Sequence, residues 1–175
     1  MLFRHCDRRF PLLWESSRQP AARWHGDGEG PAQYLADTPS GAWAEFLRHE
    51  EIADATDLAG VERALWVIDV PIDNIRWALP DLPASTLLGG MHSYPRCQRE
   101  ARRLRAAGAE GLRAPSAALL GGGAAGWTVD AGEKDARSRD GKVYVVYDRR
   151  PDFVGWPVVE AGRPPARLLS RVRHL

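Results

Sequence analysis

The stretch that decides the fold is Arg23–His49, RWHGDGEGPAQYLADTPSGAWAEFLRH. Its glycine-rich start, Gly26–Gly30, breaks any apolar period and reads as a loop. Gln33–Ala36 then reads as a short strand. At Thr38 the pattern changes. A hydroxyl precedes Pro39, the residue best suited to a first helical position, and Trp43, Phe46 and Leu47 recur at one-face helical spacing. A capped helix that follows a strand this closely lets Tyr34 and Glu45 face a common cleft, with Arg23 on the loop before them.

Further strands lie downstream. Ala64–Val70 contains the apolar run Leu65-Trp66-Val67-Ile68, which fits a strand buried on both faces, and Pro71 ends it. Lys142–Tyr147 is β-branched and aromatic; Phe153–Val159 is similar but carries Pro157, which favours an edge or a bend. A second helix is expected from about Arg96 to Ala107, where Cys97, Ala101 and Leu104 form a narrow stripe opposite Arg99, Arg102, Arg103 and Arg105. A short tail helix is expected after Arg163, and Gly121–Gly126 is a second loop. Strands and helices without strict alternation make the expected class α+β rather than a doubly wound sheet.

The 175 residues suffice for one domain, 1–175, and leave no room for two ordinary cores. Hydrophobic residues at 44% and charged residues at 27% belong to a chain that folds. A net charge of +1 excludes a global field that would draw the molecule to nucleic acid or anionic membrane. No apolar run approaches the length of a membrane span, and the N-terminus MLFRHCDRRF lacks the apolar core of a secretory signal, so the expected compartment is the cytoplasm. There the two cysteines, Cys6 and Cys97, are expected to be free.

Taken singly, the polar residues have ordinary readings. Glu45 has Arg48 and His49 three and four positions ahead, and a helical ion pair of roughly 0.3–0.5 kcal/mol would account for it. Arg4 and Arg23 are two arginines among many, Tyr34 is a strand tyrosine, and Ser116 follows Pro115 in an extended segment. GDGEG lacks the Lys-Ser/Thr ending of a phosphate-binding loop. His5-Cys6-Asp7, and His92 with Cys97, lack a repeated ligand spacing, so no metal is expected. The arginines of 96–105 read as a solvated face or as one that meets an acidic partner.

Taken together and in order, these residues resemble the RES domain, a family named for its Arg, Glu and Ser and similar to ADP-ribosyltransferase toxins. The matching pieces are LFRH with Arg4, ARW with Arg23, QYLADTPSGAWAEFLRH with Tyr34 and Glu45, and LRAPSAAL with Ser116. One departure is Ala21-Ala22-Arg23-Trp24-His25, where many members carry Gly-Gly-Arg-Trp-Asn.

The resemblance implies an ADP-ribosyltransferase-like fold and a NAD⁺ phosphorylase or glycohydrolase. NAD⁺ is then a substrate rather than a resident cofactor, and inorganic phosphate the co-substrate. It also implies a toxin whose partner is an Xre-like antitoxin, with nucleic acid met only through that partner, no membrane, and a homo-oligomer left open. Transfer of ADP-ribose to a protein or nucleic acid, and a non-catalytic module using the arginine-rich helix, are the rival readings.

The residue types suit the implied chemistry. Loss of nicotinamide from ribose passes through an oxocarbenium-like cation, which a carboxylate such as Glu45 stabilises. No general acid is needed, because nicotinamide leaves as a neutral ring. Arg4 and Arg23 offer planar forks to a pyrophosphate. Tyr34 can stack on nicotinamide, and Ser116 can hold the ribose, the carboxamide or an incoming phosphate.

Overall fold

A computed structural model describes residues 1–174. In chain order the elements are β1 (Leu2–Cys6), β2 (Ala32–Ala36), α1 (Pro39–His49), β3 (Arg63–Asp69), β4 (Trp77–Ala78), α2 (Ala84–Leu87), α3 (Tyr94–Ala106), β5 (Gly111–Pro115), β6 (Trp127–Val129), β7 (Glu133–Asp135), β8 (Lys142–Tyr147) and β9 (Val154–Gly162). Four 3₁₀ turns punctuate them, the last being Ala166–Arg171 where a tail helix was expected. The class is α+β. Seven strands form one mixed sheet in the order β4-β5-β8-β2-β1-β3-β9, and β6 and β7 form a separate hairpin.

Local chemistry explains the helix that matters most. Thr38 sits in extended backbone and its Oγ1 accepts a hydrogen bond from Gly41 N at 3.0 Å, while Pro39 supplies a preset φ in the first turn. The buried side of α1, with Ala42, Trp43, Phe46 and Leu47, packs with Ala36, Leu65 and Leu119. Each fully buried Leu or Phe in such a cluster stabilises the fold by roughly 1.5–3 kcal/mol. α3 packs Cys97, Ala101 and Leu104 with Leu112, Ala114, Val143 and Val145 of the sheet. A third cluster, with Leu2, Leu35, Ile68 and Val146, includes the partly buried Leu12 and Leu13 from the segment after β1.

β9 is an edge strand and Pro157 lies in it, where a missing N–H costs no ladder bond. β3 is less enclosed than its sequence suggests: Leu65 and Ile68 are buried, whereas Trp66 and Val67 are only partly so. Trp66 and Val67 point to opposite faces, so each face of this strand, which lies next to the edge strand β9, is covered only in part. Among the described residues no helix is long and apolar enough to cross a membrane.

One irregularity positions the site. β1 pairs with β3 along its whole length, from Leu2 opposite Ile68 to Cys6 opposite Ala64, and β2 pairs equally fully with β8. β1 meets β2 only at Phe3 opposite Ala36. Beyond that pair the two strands part in the middle of the sheet. Arg4 Nη1 reaches across the gap to the Tyr34 carbonyl at 3.5 Å, where a ladder bond would otherwise lie.

Candidate active site

The parted strands, the 7–24 segment and α1 enclose a cavity of about 770 Å³, within the range of small-molecule sites. Arg4, Arg23, Tyr34 and Glu45 all line it, as do Pro115 and Ala117 on either side of Ser116. β1, the loop before β2, β2 itself, α1 and the turn after β5 thus bring the five expected residues together, Ser116 through its bond to Glu45.

Glu45 is half-buried on α1, and Ser116 Oγ donates to its Oε1 at 3.2 Å. Ser116 Oγ itself accepts from the N–H groups of Ala118 and Leu119, each at 3.2 Å. One donor and two acceptor positions exhaust a hydroxyl. Ser116 is therefore committed to orienting Glu45 and to shaping its own turn.

The helical ion pair suggested by the sequence does not form. Arg48 instead turns into the protein, where its guanidinium donates to the carbonyls of Ala117, Arg173 (3.1 Å) and Gly89 (2.9 Å). Among the described residues, Ser116 supplies the one hydrogen bond to the Glu45 side chain.

Arg23 departs from the reading of a free fork. Its Nη1 donates to Ser93 Oγ (3.0 Å) and the Thr86 carbonyl (3.3 Å), its Nη2 to the Gly89 carbonyl (2.6 Å), and its guanidinium lies 4.9 Å from the Tyr94 ring centre. Gly89 O thus accepts from both Arg23 and Arg48. A Cβ at Gly89 would stand 2.7 Å from the Ser85 carbonyl, so only glycine fits this backbone path.

Arg4 is the better-placed fork. Beyond its long bond to Tyr34 O, its Nε is buried with no partner, and burial pulls its pKa down to about 10. Close by on β1, His5 is stacked on Trp43 and edge-on to Phe46. Burial, then the charges of Arg63, Arg4 and His49, holds its pKa down to about 3. His5 is accordingly neutral, and Arg63 Nη2 lies 3.4 Å from its Nδ1.

His25 explains how the Ala-Ala-Arg-Trp-His departure is accommodated. Its Nε2 faces the Pro20 carbonyl at 3.0 Å, and a carbonyl only accepts, so the proton sits on Nε2. Nδ1 then accepts from the Tyr34 hydroxyl at 3.0 Å, which itself accepts from Trp24 N–H at 2.9 Å. The ring is completely buried, and that burial lowers its pKa. Tyr34 is fixed by its hydroxyl end, and burial raises that hydroxyl well above its usual range.

Two buried glutamines, absent from the sequence-based candidates, tie down the 7–24 wall, and Gln19 itself lines the cavity. Gln19 exchanges both hydrogen bonds with the Ala32 backbone (2.7 and 2.9 Å), and Gln33 does the same with the Trp14 backbone (2.9 and 2.7 Å). Each side-chain amide stands in for a strand partner. A glutamine in an otherwise apolar strand, such as Gln33, was the available signal.

Other polar features stay outside the site. Glu29 of the glycine-rich loop accepts from Gly26 N (2.7 Å) and pairs with Arg102 (2.8 Å), tying that loop to α3. Arg103 pairs with Glu100, and Arg105 lies 4.5 Å from the Tyr147 ring centre. Both cysteines are free and buried.

In comparison with known proteins, the family model of the RES domain matches residues 2–167. No curated protein matches the chain.

Proposed function

This chain belongs to the RES domain family, and from that membership we propose that it cleaves the bond between nicotinamide and ribose in NAD⁺, with inorganic phosphate or water as acceptor. The observation that carries the reading is Glu45. Its carboxylate borders a cavity of about 770 Å³, is oriented by Ser116 at 3.2 Å, and makes no ion pair with the arginine one turn ahead, whose guanidinium is bound to carbonyls.

In this reading the pyridinium nitrogen takes the electron pair of the glycosidic bond, and nicotinamide leaves neutral. Positive charge develops at the ribose anomeric carbon, and Glu45 stabilises it electrostatically. Phosphate then attacks that carbon to give ADP-ribose 1″-phosphate; with water the product is ADP-ribose and a proton is released. Arg4, with donors not committed to protein, holds the pyrophosphate. Tyr34 offers its ring to the nicotinamide, with its hydroxyl anchored by Trp24 and His25. Arg23 and Ser116 act by position: the first joins the loop before β2 to the turn after α2, the second fixes Glu45.

In a cell the reaction would deplete NAD⁺, as suits the toxin half of a module with an Xre-like antitoxin. The test is NAD⁺ loss by purified protein with and without phosphate, beside Glu45→Gln. Phosphate-dependent loss that disappears in the variant supports the proposal. Equal, slow loss in both would refute it.

A further inference from the structure

The segment between β1 and β2 carries two aromatic side chains that belong to none of the core clusters. Phe10 is 66% and Trp14 41% exposed, and both line the cavity. Their exposure does not reflect a loose loop. Leu12 and Leu13, between them, pack on the core cluster of Leu2, Leu35 and Val146. Trp14 is held at both its N–H and its carbonyl by Gln33, and Phe10 N donates to Asp7 O at 3.0 Å. Next to Trp14, Glu15 pairs with Arg149 at 3.0 Å, so its charge is partly answered. The backbone is thus fixed so that the aliphatics point in and the aromatics stay out. Large apolar side chains left exposed beside a cavity commonly mark a binding surface.

We propose that Phe10 and Trp14 form a stacking platform for the adenine ring of a dinucleotide whose other end lies at Glu45. This rests on the proposed function, which places the nicotinamide end against α1. The aromatic pair lies on the 7–24 wall of the same cavity, and Arg4 lies on the parted strands that border both. A dinucleotide has one charged bridge and two flat ends. The cavity is lined by the Arg4 guanidinium, whose buried Nε has no hydrogen-bond partner, by the Glu45 carboxylate that Ser116 orients, and by the exposed rings of Phe10, with the Arg9 guanidinium 5.9 Å from its centre, and Trp14. A flat, π-rich purine is the group an exposed indole and phenyl hold best, without needing hydrogen-bond readout.

The probes are ADP, which has the adenine and pyrophosphate but no nicotinamide, and nicotinamide mononucleotide, which lacks adenine. Calorimetric binding is compared for the wild type, Phe10→Ala/Trp14→Ala and Trp14→Phe, with thermal melts to verify folding. The double variant is expected to bind ADP roughly tenfold more weakly or worse while binding the mononucleotide as before, and Trp14→Phe to retain most ADP affinity. Unchanged ADP affinity in the double variant, failure of the wild type to bind ADP, or an equal loss for the mononucleotide would each overturn the platform. ADP binding that depends on the two rings, in a protein that leaves NAD⁺ intact, would sustain the platform and refute the proposed reaction.

Discussion

Ser116 Oγ donates to Glu45 Oε1 at 3.2 Å across 71 positions of sequence, and no other side chain among the described residues does so. Because that hydroxyl also accepts from Ala118 and Leu119 N–H, its loss should act on both the carboxylate and the turn. Ser116→Ala is expected to lower the turnover of NAD⁺ by about 10- to 100-fold, as a misplaced carboxylate would. It should also cost about 1–3 kcal/mol of stability through unsatisfied buried amides. Steady-state kinetics and urea unfolding on the same preparation check both.

Arg48 and Gly89 make a second pair with a measurable consequence. The Gly89 carbonyl accepts from Arg48 (2.9 Å) and Arg23 (2.6 Å), and Arg48 also holds Ala117, next to Ser116. Arg48→Lys keeps the charge but cannot fan across three carbonyls, so a loss of about 2–3 kcal/mol in urea unfolding is expected. Gly89→Ala, forced off the Ser85 carbonyl, should destabilise by a similar amount, about 2 kcal/mol. If Arg48→Lys unfolds at the wild-type midpoint, the arginine tie is not structural.

His5 sets an acid limit on stability. Its pKa is near 3 in the fold, because it is buried and faces Arg63, Arg4 and His49, but about 6.5 in the unfolded chain. Between those values the unfolded chain binds more protons, so stability is full above about pH 6.5 and falls as the pH drops toward 3. The limiting slope from this one residue is about 1.4 kcal/mol per pH unit. His5→Gln, which cannot titrate, should flatten the dependence of urea unfolding between pH 4 and 6. An unchanged slope would mean that other groups dominate acid unfolding.

Much of the architecture was legible in the chain because its signals are local. Thr38-Pro39 with Trp43, Phe46 and Leu47 marks α1, and Lys142–Tyr147 is β8 to the residue. β1 was not read as a strand: Arg4 and His5 interrupt its apolar pattern, since one bridges the gap to β2 and the other packs between aromatic rings. The five candidate residues stand out by their order and by the resemblance; in the fold four of them line the cavity and Ser116 is hydrogen-bonded to one of the four. What each does was less legible. Arg23 and Arg48 are bound by carbonyls of residues far along the chain, and Gln19 and Gln33 substitute for strand partners. Such partners depend on where the chain returns in space, which spacing does not report.

The most direct test of the account is the rate of NAD⁺ consumption by the wild type and Glu45→Gln in phosphate buffer, with both proteins shown to melt at the same temperature. Glu45→Gln keeps the shape and an oxygen for Ser116 to donate to, and removes only the negative charge. A loss of about 10²-fold or more in turnover is expected, as when a transition-state charge loses its electrostatic partner, with ADP-ribose 1″-phosphate as the wild-type product. Equal rates in the folded wild type and variant would contradict it.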